Sequence, residues 1–133
     1  TTEIYAGVAY KWLVSPSLKL YQDVGDAHGL FVTFNLGVDQ EVWKPHPEVA
    51  VSLLANAGLE WGSKDYNEYR YNAGTDEAAF VDSNLMLGVA VKVKDMLTIT
   101  PSYTHAWLMD SAIKEAFGYD DKGFWGLTLT YSF

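Results

Sequence analysis

The histidines are the side chains of this sequence with the clearest potential for acid–base or nucleophilic chemistry. A histidine that activates a serine must lie within hydrogen-bond reach of it. Ser102 and His105 are three residues apart, so in an extended strand their side chains point to opposite faces. His28 and His46 fall in predicted connections at opposite ends of the strands. We therefore predict no catalytic residues and no metal ion shared by the three histidines.

Carboxylates cluster in two predicted loops, and clustered carboxylates are ligands that hard divalent cations accept. Asp23 and Asp26 lie with His28 in one loop, and Asp120 and Asp121 lie in another. A solvated acidic rim explains the same residues more simply, so we predict no metal site and no cofactor. The sequence has no cysteine, which excludes disulfides and thiolate metal sites. Its 17 acidic residues against 9 basic ones argue against nucleic acid as a partner.

The elements that position these side chains are predicted to be strands of one all-β domain covering residues 1–133. Alternating apolar and polar residues between turn signals predict about seven strands, near 3–13, 18–24, 29–43, 48–62, 79–93, 96–108 and 124–133. Short and long connections alternate, which is typical of an antiparallel up-and-down meander that forms a transmembrane β-barrel or a large part of one. No run approaches the roughly 20 apolar residues of a membrane-spanning helix.

Two of the long connections contain further signals. Asp110-Ser111 and Gly118 bound a segment that is predicted to be a short capped helix. The segment Lys64–Ala78 is charged and is predicted to be a loop, with a missed strand as the alternative. Ser15–Ser17, Lys44–Pro47 and Lys94-Asp95 are predicted to be the short turns.

Charge is distributed unequally between the two faces of the predicted strands. One face is predicted to line a lumen, and the charged residues assigned to it are Lys11, Lys19, Asp23, Asp39, Glu41, Glu60, Asp82 and Lys92. The other face is apolar and is predicted to carry no charge within the strands. Its aromatic residues lie near strand ends, as expected of a girdle at two membrane–water interfaces. This girdle is predicted to consist of Tyr10, Trp12, Trp61, Trp107, Trp125, Tyr131 and Phe133.

The last predicted strand ends on an aromatic residue. Leu127, Leu129, Tyr131 and Phe133 alternate with Thr and Ser. This pattern resembles the carboxy-terminal signal of Gram-negative outer-membrane β-barrels, which the barrel assembly machinery recognises. The resemblance implies a location in the bacterial outer membrane, with outer-membrane lipid and the assembly machinery as partners.

Four short segments carry a second resemblance, and they are Ser15–Val24, Gly62–Asn67, Leu97–Tyr103 and Leu108–Ile113. They are similar to segments in the carboxy-terminal half of TorF-like (Gcw_chp) putative porins. This resemblance implies an outer-membrane barrel without catalytic residues. It also implies that further strands precede Thr1.

The expected function is passive, either a pore for small solutes or a structural barrel filled by its own side chains, depending on the number of strands. One alternative is a soluble β-barrel that binds an apolar ligand. A less favoured one is a small outer-membrane lipid-modifying enzyme using His105, Asp110 and Ser111. Since bacterial single-chain barrels have an even number of strands, seven predict additional strands from an absent amino-terminal half or from neighbouring copies.

Overall fold

The computed structural model describes residues 1–71 and 77–133, which form one antiparallel sheet and two short helices. The elements are β1 Glu3–Ala9, β2 Ser15–Asp23, β3 Leu30–His46, β4 Val49–Gly62, α1 Lys64–Tyr71, β5 Ala79–Val93, β6 Leu97–Leu108, α2 Ser111–Phe117 and β7 Asp121–Tyr131. Each strand pairs with its neighbours in sequence, which confirms the predicted all-β up-and-down meander. The sheet is not closed, and β1 and β7 are its two edges.

The two ends of the sheet differ in the length of their connections. One end, the turn end, contains the short connections at 10–14, 47–48 and 94–96. The other end, the loop end, contains the longer connections at 24–29, 63–78 and 109–120, and both helices lie there. The predicted alternation of short and long connections is therefore confirmed.

Four strand boundaries differ from the prediction by three residues or more. One is the end of β3, which continues to His46 through most of the predicted turn Lys44–Pro47. The first predicted strand, at 3–13, is too long because β1 ends at Ala9. Tyr10 N donates to Pro16 O at 3.0 Å, and Ala9 pairs with Ser17, so the chain turns within residues 10–14 and Ser15–Ser17 already belong to β2. At the other edge, β7 begins at Asp121, three residues before the predicted start.

β-Bulges change which face a residue occupies in β3 and β5. In β3 the pairing jumps from Glu41 to Trp43, so Val42 is the extra residue and Trp43 lies opposite Val51 on the apolar face. In β5 the pairing jumps over Val81. Strict alternation along β5 would place Val81 on the apolar face with Leu85, but in the structure Val81 is 1% exposed. A one-residue insertion exchanges the faces beyond it, which strict alternation cannot anticipate.

Helix α1 replaces much of the predicted loop at 64–78. Ser63 is its N-cap, since the hydroxyl oxygen accepts a 3.5 Å hydrogen bond from Tyr66 N and the carbonyl accepts one from Asn67 N at 2.9 Å. Asp65 in the first turn and Arg70 in the last complement the helix dipole. The alternative of a missed strand is wrong for Lys64–Tyr71, and residues 72–76 of the predicted loop lie outside the described part of the chain.

Helix α2 forms where the cap residues predicted it. The Asp110 carboxylate accepts hydrogen bonds from Ala112 N at 3.0 Å and from Ile113 N at 3.1 Å. Gly118 ends the helix with φ of 74°, and its N–H donates to Lys114 O. Ile113 is 0% exposed, so this helix packs against the rest of the loop end rather than extending into solvent.

Candidate functional site: the polar face of the sheet

The strand register brings seven of the eight predicted lumen residues to one face, here called the polar face. Cross-strand pairing connects Lys19, Thr33, Glu60 and Asp82 in one row. The remaining charged residues share this face through the alternation of their strands, and they are Asp23, Asp39, Glu41 and Lys92. Lys11 is the exception. It lies in the connection at 10–14 beyond the end of β1, so its predicted position on a strand face is wrong.

The middle of the polar face contains an uncharged group of amides. Asn56 Nδ2 donates to Asn35 Oδ1 at 3.3 Å, and Asn35 and Asn84 pair with Gly58 from either side. A Cβ at Gly58 would lie 2.6 Å from Asn84 Oδ1 and 2.9 Å from Asn35 Oδ1. The absence of a side chain at Gly58 therefore leaves room for the side-chain amides of Asn35 and Asn84.

Aromatic rings on the polar face lead from the β1 edge to α1. Tyr5 and Tyr21 have ring centroids 5.9 Å apart, and Tyr21 and Phe31 are 6.2 Å apart. Phe31 then stacks on Tyr66 of α1, with centroids 4.7 Å apart and planes inclined by 19°. The next residue of this cross-strand row is Gly62, where a Cβ would overlap the Asn67 side chain of α1. The glycine permits α1 to approach the sheet closely.

The same aromatic contacts continue from α1 to α2. Tyr71 lies 6.5 Å from Tyr66 and 5.8 Å from Phe117, measured between ring centroids. Phe117 in turn lies 5.8 Å from Tyr119. Burial raises the pKa of both Tyr66 and Tyr71 above the usual tyrosine value, so both phenols are protonated at neutral pH. Both helices therefore contact each other through aromatic side chains at the loop end.

The apolar face is the more exposed of the two. Along β5, Leu85, Leu87 and Val89 are 40%, 54% and 38% exposed, whereas the intervening Asn84, Met86, Gly88 and Ala90 of the polar face are less exposed. In the edge strands β1 and β7, residues of both faces are exposed. Within an inner strand such as β5, the apolar side chains are therefore more exposed than the polar-face residues between them.

The predicted girdle residues occupy several positions relative to the strands. Trp61 and Trp107 lie near the loop ends of β4 and β6, and Trp125 pairs with Tyr103 in the body of the sheet. At the turn end, Tyr131 is the last residue of β7 and Phe133 follows it. Tyr10 and Trp12 were predicted on a strand, but they lie in the connection at 10–14. Trp43 was missed because its bulge reverses the alternation.

A polar cluster on the apolar face was not predicted. His105 Nε2 lies 2.6 Å from Asp121 Oδ2, and Tyr103 Oη lies 3.2 Å from His105 Nδ1. Gly123 is opposite His105, and a Cβ there would overlap the Tyr103 hydroxyl. The predicted charge-free apolar face is therefore wrong at Asp121. His105 pairs with Asp121. Asp110, which the enzyme alternative grouped with His105, instead caps α2.

The two acidic loops do not come together as a metal site. Asp23 accepts a 2.6 Å hydrogen bond from Gly25 N at the end of β2, whereas Asp121 is paired with His105 in β7. Within residues 1–71 and 77–133, no three His, Cys, Asp or Glu side chains are grouped so that they could hold a metal ion.

Comparison with known proteins gives no relative, since no family model, no curated protein and no solved structure matches the chain. Neither helix in the described part of the chain is long and apolar enough to cross a membrane.

Proposed function

We propose that the chain forms part of an outer-membrane β-barrel that acts as a passive pore for small solutes, with the polar face toward the lumen. The observation that carries this proposal is the exposure of the apolar face, since a lipid-facing barrel surface is apolar and its interior is polar. The resemblance of the last strand to the outer-membrane assembly signal, and of four segments to TorF-like putative porins, supports the same location.

Closure of this barrel needs additional strands. An edge strand inside lipid would leave backbone N–H and C=O groups without partners, at several kcal/mol each. β1 and β7 are both edges of the sheet. We propose that their partners are strands of an absent amino-terminal half or of neighbouring copies. Outer-membrane lipid and the barrel assembly machinery complete the proposed set of partners.

The charges of the polar face determine the expected ion selectivity. Its acidic strand residues are Glu3, Asp23, Asp39, Glu41, Glu60 and Asp82, and its basic strand residues are Lys19, Lys92 and Lys122. Charged side chains lining a pore set its preference for ions of one sign. We therefore expect a weak preference for cations.

Planar bilayers with a salt gradient across them test this function directly. The purified protein should give stepwise conductance, and the reversal potential should have the sign expected for cation preference. The double variant Asp39→Asn with Glu41→Gln should reduce that preference, whereas Glu115→Gln in α2 is the control because Glu115 is not on a strand. Insertion without conductance would indicate a structural barrel instead.

One observation favours a second candidate, a soluble barrel that binds an apolar ligand. A shallow hollow of about 830 Å³ is lined mainly by apolar-face residues, among them Leu53, Leu87 and Trp125. Size-exclusion chromatography separates the two functions, since a soluble barrel remains monodisperse without detergent. A protein that aggregates when detergent is removed supports the membrane barrel.

A further inference from the structure

Two carboxylates are cross-strand neighbours on the polar face near the loop end. Glu60 and Asp82 are direct cross-strand partners in β4 and β5, so their side chains are neighbours on the same face. Two ionised carboxylates at this separation repel each other strongly unless they share a proton or bind a cation. The row also contains Lys19, but Thr33 separates it from Glu60.

Two side-chain oxygen atoms are buried without a hydrogen-bond partner. One is Oδ1 of Asp82 in the carboxylate pair, and the other is Oδ1 of Asn67 in α1. Asn67 is 0% exposed, and its Nδ2 donates to Gly62 O at 3.0 Å and to Glu77 O at 3.4 Å. These donor contacts fix the amide, so its oxygen is directed at the Gly62 position of the polar face, where a Cβ would overlap it. A buried unpartnered acceptor is rare, and a bound water or ion is the usual explanation.

The unpartnered amide oxygen lies at the Gly62 position, two residues along β4 from Glu60. Gly62 and Glu60 are two residues apart on the same face, which places their Cα atoms about 7 Å apart. The Glu60 side chain can span much of that distance. Tyr71 of α1 and Asp82 line the same cavity of about 250 Å³, so the end of the helix is near the carboxylate of Asp82.

We propose that Glu60, Asp82 and Asn67 bind a hard divalent cation, with Ca²⁺ as the representative, that joins α1 to β4 and β5. A proton shared by the two carboxylates would satisfy their mutual contact but leave the Asn67 oxygen without a partner. A cation accepts all three oxygen ligands and completes its coordination with water. With only two carboxylates, the dissociation constant should be on the order of 10⁻⁴–10⁻³ M.

Terbium luminescence tests the site in the unmodified protein, without any dependence on pore function. Tb³⁺ replaces Ca²⁺ at oxygen sites and emits when a nearby tyrosine is excited. Tyr71 lines the same cavity as Asp82, and Tyr66 is 6.5 Å from Tyr71 between ring centroids. In EDTA-treated protein in zwitterionic micelles, Tb³⁺ should give saturable emission that Ca²⁺ displaces. An absence of saturable emission, or emission that excess Ca²⁺ leaves unchanged, would overturn the proposal.

Calorimetric titration with Ca²⁺ assigns the ligands. Glu60→Gln and Asp82→Asn should each weaken binding by at least about tenfold, as expected for removal of a metal ligand. Asp39→Asn removes a carboxylate from the same face away from the site, and it should leave the affinity within about twofold of the wild type. Far-UV circular dichroism checks that each variant is folded. Equal affinities in wild type, Glu60→Gln and Asp82→Asn would refute the site even if the protein binds Ca²⁺ elsewhere.

Discussion

The two faces of the same seven strands differ in what covers them. At the loop end, the polar face is covered by α1, and the aromatic contacts of that helix continue to α2. Along the apolar face, large side chains such as Leu53 and Leu87 are half exposed. A soluble protein of this kind would bury its apolar face and expose its polar one. The proposed lipid-facing orientation accounts for this difference, since lipid would cover the apolar face.

The largest expected effect compares two neighbouring residues on opposite faces. Leu53→Arg places a charge in the apolar face and should reduce the free energy of unfolding from lipid by about 2–4 kcal/mol. Ser52→Arg places the same charge on the polar face, directly opposite Glu41, and should cost less than about 1 kcal/mol. Urea unfolding of the protein in phospholipid vesicles measures both. Similar losses at the two positions would reject the assignment of the faces.

Much of this face assignment was predictable because strands alternate with a period of two. The alternation placed Lys19, Asp39 and Glu60 on one face without knowledge of the fold. It failed at Trp43 and Val81, because a bulge adds one residue to one strand of a pair. A bulge is specified by the pairing of two distant segments, so neither strand shows it clearly alone.

Local sequence signals predicted helix α2 but not helix α1. Helix α2 has a side-chain cap at Asp110 and a glycine at its end, and both signals are local. Helix α1 has a serine cap as well, but its residues are strongly polar and no apolar stripe marks it. Its position depends on the stacking of Tyr66 on Phe31, a contact between residues far apart in sequence.

The pairing of Glu60 with Asp82 and the cluster around His105 could not be predicted from the alternation of a single strand. Glu60 and Asp82 were each assigned to the polar face, but only the register shows that they are direct partners. His105 meets Asp121 because β7 begins earlier than its alternation suggested. Cross-strand partners are set by register, which depends on turns and bulges along the whole sheet.

A smaller effect on stability is expected at α2, the helix that contacts α1 through Tyr71 and Phe117. Asp110→Ala removes the carboxylate that accepts from Ala112 N and Ile113 N, and it should reduce stability by about 1 kcal/mol. Hydrogen exchange at these two amides should become faster. Ser111→Ala is the matched control because Ser111 is exposed and adjacent. Unchanged exchange in Asp110→Ala would show that tertiary packing of Ile113, rather than the cap, holds the helix.

The smallest effect on stability is expected at the turn end of the apolar face. Phe133 lies beyond the last paired residue of β7 and is fully exposed, although its ring is 6.3 Å from that of Tyr131. Deleting Phe133 should therefore change stability in micelles by less than about 0.5 kcal/mol, the usual range for surface changes. If the terminal strand is an assembly signal, the same deletion should strongly reduce the amount of protein inserted in the outer membrane of cells. Phe133→Tyr keeps an aromatic terminus and should insert normally. Normal insertion of the deletion variant would reject the signal, whereas a large loss of stability in micelles would assign Phe133 to packing instead.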